Sequence, residues 1–312
     1  MVELAVRIGE LDLANPIMPA SGTFSPELGQ VMDLNQLGAL VTKSITRDFR
    51  SGNPTPRVAE AGAGMLNSIG IPSKGLDHFL NEVIPAYRRY SPPLVASISA
   101  HTPEEFAALC RDVSVRAVDA IEVNISCPNL EADGRAFAMH PDLTYEVMRE
   151  LRAATHKPLW AKLTPNVGDI VEIAEAAEKG GADALVVANA ILAMTIDTHT
   201  LRPTLGSIMG GLSGPPVKPI ILRMVYQCAK VVSIPIIGVG GISNAEDVVQ
   251  YMAAGARAVQ VGTASFIRPN AMAGILEDLS SWCDSHGYKD INDLVGAVRD
   301  DDLDTDILEA VR

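Results

Sequence analysis

Ala120-Ile121-Glu122-Val123-Asn124-Ile125-Ser126-Cys127-Pro128-Asn129 is an apolar run that turns polar within a few residues. Its first half reads as a buried β-strand, and Pro128, which has no N–H for a ladder, ends it. Cys127 therefore falls at the C-terminal end of a strand, between the amides of Asn124 and Asn129. A buried structural thiol is the commoner fate of a lone cysteine. Two flanking amides, each needing polar partners, pack poorly against hydrocarbon and favour a thiol that faces a polar ligand.

Seven further runs of the same kind surround this one: Pro16 to Ala20, Ala39 to Ser44, Leu94 to Ser99, Leu159 to Thr164, Ala184 to Asn189, Ile234 to Gly238 and Ala258 to Gly262, with the central run taken as Ala120 to Ser126. Amphipathic stretches separate most of them, at Pro103 to Val113, Leu143 to Thr155, Gly168 to Gly180, Ala245 to Ala254 and Ala271 to Ser285. Start signals are clear at Thr102-Pro103-Glu104-Glu105 and at Ser243-Asn244 before Glu246 and Asp247. Eight β/α units in 312 residues with no Pro/Gly/Ser-rich linker predict an α/β fold, a single (β/α)8 TIM barrel domain over residues 1–312. Leu4 to Leu13, alternating around Gly9-Glu10, predicts a short hairpin closing the barrel bottom. A doubly wound sheet is the alternative, but a G-x-G-x-x-G turn after the first strand is missing.

Barrel chemistry sits at the C-terminal strand ends. Here those ends carry Ala20-Ser21-Gly22, Lys43-Ser44, Cys127, Lys162 and Asn189 in chain order. Lys43 and Lys162 each interrupt an apolar strand, and an ammonium in such a mouth calls for an anion. Gly238-Val239-Gly240-Gly241-Ile242 and Gly262-Thr263-Ala264 follow the last two strands, the recurrent phosphate site of this fold, where glycines let backbone N–H groups come close to a phosphate. The stretch from Ala190 to Gly214 is longer than an ordinary loop and predicts a functional cover.

The charge balance, 25 Lys+Arg against 38 Asp+Glu for a net −13, argues against nucleic acid or an anionic membrane as the main partner. The N-terminus lacks a basic segment followed by an apolar run, and Ala184 to Met194 is too short and interrupted to span a bilayer, so a soluble cytoplasmic protein is expected. Four dispersed cysteines and six scattered histidines show no ligand spacing, and no metal is expected.

Taken in order, Pro19-Ala20-Ser21-Gly22, Thr42-Lys43-Ser44, Met65 to Gly70, Asn124 to Asn129, Lys162 to Asn166, Gly211-Leu212-Ser213-Gly214-Pro215, Gly240-Gly241-Ile242 and Gly262-Thr263 resemble the class 1 dihydroorotate dehydrogenases nearly end to end. The form around Val217-Lys218-Pro219 is more similar to the NAD-linked type than to the fumarate-using type. The resemblance implies FMN as cofactor and oxidation of dihydroorotate to orotate in pyrimidine biosynthesis. Cys127 is then the base that takes a proton from C5 while hydride leaves C6 for flavin N5. Asn67, Asn124, Asn129 and Asn189 would hold the pyrimidine and its carboxylate, helped by the backbone of Ser68, Ile69, Gly70 and Ile71, with Ala190 beside them. Lys43 would lie between substrate and flavin, and Lys162 would stabilise negative charge on the reduced ring. Ala20, Ser21, Gly22, Ser44, Ser97, Asn124 and Ala188 would line the flavin, and Gly214, Gly240, Gly241, Gly262 and Thr263 would hold its phosphate. A homodimer is implied, together with an electron-transfer subunit carrying FAD and an iron–sulfur cluster. Pro128 to Pro141, with Asp133-Gly134, is the expected lid.

Three positions depart from the family: Ser97 where an asparagine is common, Ala190 where Thr or Ser is usual, and Ala193 for a common glycine. A tRNA dihydrouridine synthase, which shares an Asn-x-x-Cys-Pro pattern, is opposed by the acidic charge. A dihydropyrimidine-reducing enzyme is closer chemically, and a flavin-binding barrel without turnover is the non-enzymatic reading.

Overall fold

In the computed structural model of the chain, the described residues are 2–126, 131–132 and 135–299. All the expected barrel strands form, at Ile17–Pro19 (β1), Leu40–Val41 (β2), Leu94–Ile98 (β3), Ala120–Asn124 (β4), Leu159–Lys162 (β5), Ala184–Val187 (β6), Ile236–Gly238 (β7) and Ala256–Val261 (β8). Neighbours in the sheet run β1-β8-β7-β6-β5-β4-β3-β2, every pair parallel, so first and last strands lie side by side. Strands buried on both faces read as continuous apolar runs, which is why short segments were recognisable.

The seam between β1 and β2 is bridged below the strands. Gly38 N–H donates to Ile17 O at 2.8 Å, and the Asn15 amide donates to Gln36 O at 2.7 Å while accepting from Ile17 N–H at 3.0 Å. A side chain on Gly38 would put its Cβ 2.1 Å from Asn15 O, so the approach requires glycine.

The helices start where their caps predict. Thr102 accepts from Glu105 N–H at the head of Pro103–Val113. Asn244 and Asp247 exchange side-chain and backbone bonds at the head of Ala245–Ala253, a reciprocal capping box. The N-terminal hairpin pairs Val6–Ile8 with Leu11–Leu13, and Gly9 at its turn lies against Asp183, just before β6, which places it at the barrel bottom.

The cover read between Ala190 and Gly214 contains strands. Ile191–Ala193 and Gly210–Ser213 join Gly64–Asn67 and Val58–Ala61 in a four-stranded antiparallel sheet over the mouth. These strands are three or four residues long and partly exposed, and two of them bear glycine, so they carry little periodic signal. The expected lid is anchored where it is described: Glu131–Ala132 pairs with Arg135–Ala136, and Phe137 is buried edge-on against Phe106. Residues 127–130 and 133–134, which include Cys127, Asn129, Asp133 and Gly134, lie outside the described residues.

Candidate active site at the barrel mouth

The C-terminal strand ends and the antiparallel sheet enclose a cavity of about 1030 Å³, at the upper end of what a single small ligand fills. After β1 come Ala20, Ser21 and Gly22; after β2, Lys43 and Ser44; from β4, Asn124; from β5, Lys162; after β6, Ala188, Asn189 and Ala190. Asn67, Ser68, Ile69, Gly70 and Ile71 enter from the antiparallel sheet and the segment that follows it. Gly214, Gly240, Gly241, Gly262 and Thr263 close the far side. Every described residue expected in the site therefore faces this cavity except Ser97. Ser97 is fully buried behind Ser44, whose Oγ it meets at 2.7 Å. Ile71 holds φ +48°, a strained value for a β-branched residue, beside Gly70 at +75°.

Polar side chains of the wall form a chain of hydrogen bonds. Asn189 Nδ2 donates to Ser126 Oγ at 2.7 Å, Ser126 to Asn124 Oδ1 at 2.8 Å, and Asn124 Nδ2 to Ser44 Oγ at 3.1 Å. Asn67 Nδ2 donates to Gly211 O across the antiparallel sheet. The amides thus hold one another through serines, which the sequence reading did not anticipate. An amide has two N–H groups and an oxygen with two lone pairs, so capacity remains for a ligand.

Among the described residues, Lys43 and Lys162 are the charged side chains of the lining. Burial lowers the pKa of Lys43, because the ammonium loses water without gaining a counter-charge. Lys162 is differently placed. Its Nζ lies 3.0 Å from Ser21 Oγ, 3.3 Å from Gln260 Oε1 and 3.5 Å from Glu122 Oε1.

Backbone geometry makes the far side an anion cradle. Among the described residues, the N–H groups of Gly240, Gly241, Gly262 and Thr263 donate to no backbone carbonyl. Gly241 has φ +69°, and a Cβ there would come 2.7 Å from Gly214 O, so the turn after β7 meets the backbone of Gly214 directly. Tyr251 OH donates to Gly240 O at 2.7 Å from beneath. Nearby, burial alone would raise the Asp247 pKa, but hydrogen bonds from Lys218 Nζ, Ser243 N–H and Ser243 Oγ outweigh it and hold the carboxyl low.

The described thiols have a different character. Cys110, Cys228 and Cys283 are all buried in helices, and burial pushes Cys110 and Cys228 up to about 12. They are packing residues.

A family profile described as dihydroorotate dehydrogenase matches residues 3–282. The chain belongs to the dihydroorotate dehydrogenase family. It is 43% identical over 96% of its length to the whole of the Dihydroorotate dehydrogenase B (NAD(+)), catalytic subunit of Thermoanaerobacter sp. (strain X514). It is 47% identical over 95% of its length, and 98% of the relative's, to the protein of that name from Trichlorobacter lovleyi. The crystal structure of the Eimeria tenella dihydroorotate dehydrogenase in complex with ferulenol shares the fold, with TM-score 0.78 at 23% identity over 95% of this chain and 88% of that one.

The dihydroorotate dehydrogenases are flavoproteins, and the cavity fits a flavin nucleotide: unpartnered N–H groups for a phosphate and two ammonium groups for an anionic ring and substrate. Against that family background, Ala190 sits on the cavity wall with its N–H given to Asn189 Oδ1 at 2.8 Å. Sequence reasoning left three contributors unassigned. Asn166 lines the cavity and braces Ala190 O and Leu192 N–H. Asn53, also in the lining, holds Ser68 Oγ. Glu122 supports Lys162 from below. A lone acid inside an apolar strand was the only available signal for the last.

Proposed function

We propose that this chain is the catalytic subunit of an NAD-linked dihydroorotate dehydrogenase, a single FMN-binding domain that oxidises dihydroorotate to orotate in pyrimidine biosynthesis in the cytoplasm. One observation carries the reading: the unpartnered glycine turns after β7 and β8 open on the same cavity as Lys43, Lys162 and the asparagine chain. FMN, when bound, supplies the two-electron acceptor for hydride.

The chain's own residues do the rest. Gly214, Gly240, Gly241, Gly262 and Thr263 receive the phosphate through backbone N–H groups. Ala20, Ser21, Gly22, Ser44 and Ala188 line the ring site. Asn67, Asn124, Asn129 and Asn189 orient the pyrimidine, aided by Ser68 to Ile71. Lys43 gives the anionic substrate a positive contact, which in turn restores a counter-charge to a desolvated ammonium. Cys127 accepts the C5 proton as a thiolate, so flavin reduction rises with pH as the thiol ionises. Ser97 contributes from behind, through Ser44.

The name catalytic subunit, carried by the relatives, supports a partner subunit. Among the described residues no His/Cys/Asp/Glu group could hold a metal, and a dinucleotide fingerprint is missing from the sequence. On this reading electrons leave through a second subunit carrying FAD and an iron–sulfur cluster, attached to a homodimer of this chain. Anaerobic mixing of the flavin-loaded protein with dihydroorotate tests the function: bleaching of the flavin band is expected. A bound flavin that stays oxidised with dihydroorotate but bleaches with another dihydropyrimidine would transfer the assignment to that substrate.

A further inference from the structure

Glu122 is 0% exposed, Gln260 0% and Lys162 4%, in the interior of the barrel just under the cavity. Lys162 stands on β5, paired with the β4 strand of Glu122, whereas Gln260 on β8 lies across the barrel and reaches them only through the interior. Glu122 Oε2 accepts from Gln260 Nε2 at 2.7 Å, and Oε1 accepts from Ser97 Oγ at 3.0 Å and lies 3.5 Å from Lys162 Nζ. A carboxylate only accepts. Gln260 must therefore turn its NH2 to Glu122 and its Oε1 to Lys162, at 3.3 Å.

We propose that Glu122 is a positioning residue that keeps Lys162 an ammonium beneath the flavin, both by its charge and by fixing which end of Gln260 the lysine meets. This deepens the proposed function and rests on it. Other groups facing Lys162 offer no substitute. Ser21 after β1 is neutral, the adjacent Val186 on β6 is apolar, and Asn124 on β4 is an amide. Among the described residues, the remaining charged side chain of the cavity lining, Lys43, has the same sign.

The amide isostere separates charge from shape. In Glu122→Gln, one of the two acceptor positions becomes an NH2. If the amide oxygen faces Lys162, the NH2 faces Gln260, which must flip and present its own NH2 to the lysine. If the oxygen faces Gln260, the new NH2 points at the lysine directly. Either way a donor meets Lys162, and only a neutral amine, with a lone pair, can accept it. A buried ammonium without its counter-charge also sheds its proton.

The readout is the number of protons taken up with two electrons. With the Glu122 carboxylate in place beside Lys162, reduction of bound flavin would, on this proposal, take up two electrons and one proton. In Glu122→Gln a second proton enters from solvent to neutralise the new negative charge. The flavin midpoint potential, measured against redox dyes with dithionite as reductant between about pH 6.5 and 8, should therefore fall with pH twice as steeply in Glu122→Gln as in the native protein. Glu122→Asp, which keeps the carboxylate, should restore the native slope. A native protein that takes up two protons, or a Glu122→Gln slope equal to the native one, overturns the proposal. Should Glu122→Gln not hold flavin, Gln260→Leu decides. It leaves the carboxylate in place and should keep the native slope, and a doubled slope there would assign the effect to Gln260 instead. Failure of the proposed function reads differently, as absent flavin or a bound flavin that dihydroorotate cannot reduce.

Discussion

Replacing Gly241 with alanine tests whether the glycine turn after β7 is a phosphate cradle or merely a loop. The residue holds φ +69°, where an L side chain pays about 1–2 kcal/mol. Its Cβ would also lie 2.7 Å from Gly214 O and 2.9 Å from Lys218 Cβ, the first a backbone atom that cannot rotate away. Forcing such a contact adds about 1–3 kcal/mol. A combined loss of roughly 2–5 kcal/mol lowers the melting temperature of a chain this size by about 3–8 °C. Because the turn relaxes by moving away from Gly214, one charge-assisted phosphate contact is lost, worth about 1.5–3 kcal/mol, or ten- to a hundredfold in FMN affinity. Gly262→Ala is the control: its Cβ would sit 3.5 Å from Ala20 Cβ and 3.7 Å from Thr23 Cγ2, ordinary contact distances. Its stability should change by no more than about 0.5 kcal/mol. Thermal melts of the apoprotein and an FMN titration followed by fluorescence quenching give both numbers. A Gly241→Ala protein with native melting temperature and native FMN affinity would refute the reasoning.

Three further outcomes are expected. Lys43→Met should stabilise the apoprotein near neutral pH while weakening orotate binding. The folded pKa lies below the unfolded value of about 10.4, so the cost of the ammonium is full below the folded pKa and fades as pH rises through the unfolded one; a less stable apo variant at pH 7 would contradict this. Cys127→Ala should retain flavin and lose its reduction by dihydroorotate, whereas Cys127→Ser should keep a slow activity shifted to alkaline pH; stopped-flow reduction at the native rate in Cys127→Ala would remove the thiol from the mechanism. Ala190→Thr should tighten orotate by about 0.5–1.5 kcal/mol through one added hydrogen bond, with FMN affinity unchanged, and calorimetry showing no gain would mean that the ring lies elsewhere on the wall.

Much of this architecture is written locally. Parallel strands buried on both faces leave short apolar runs that need no partner to be recognised, and the caps at Thr102 and Asn244 act within a single helical turn. Strand-end residues were legible for the same reason: once the barrel is inferred, Lys43, Lys162, Asn189 and the glycines after β7 and β8 belong at the mouth by position alone. The antiparallel sheet was not legible. Gly64–Asn67 and Gly210–Ser213 are far apart in the chain, and neither buries enough to exist without the other.

The charge arrangement under the mouth shows where local reading ends. Glu122 in an apolar strand is one acid among 38 Asp+Glu, and strand periodicity alone does not say whether it faces the barrel interior or the helices. Closure of the barrel brings Gln260 from β8 onto it, while the register of β4 with β5 and β3 sets Lys162 and Ser97 beside it, Ser97 behind Ser44 and out of the cavity wall. Sequence alone determined what depends on backbone conformation and burial of neighbours along the chain: the strands, the caps, the glycine turns and the residue types at the strand ends. Tertiary structure decided which distant polar groups share the interior, because a buried charge is tolerated only beside its partner, and the partners are chosen by strand register and barrel closure.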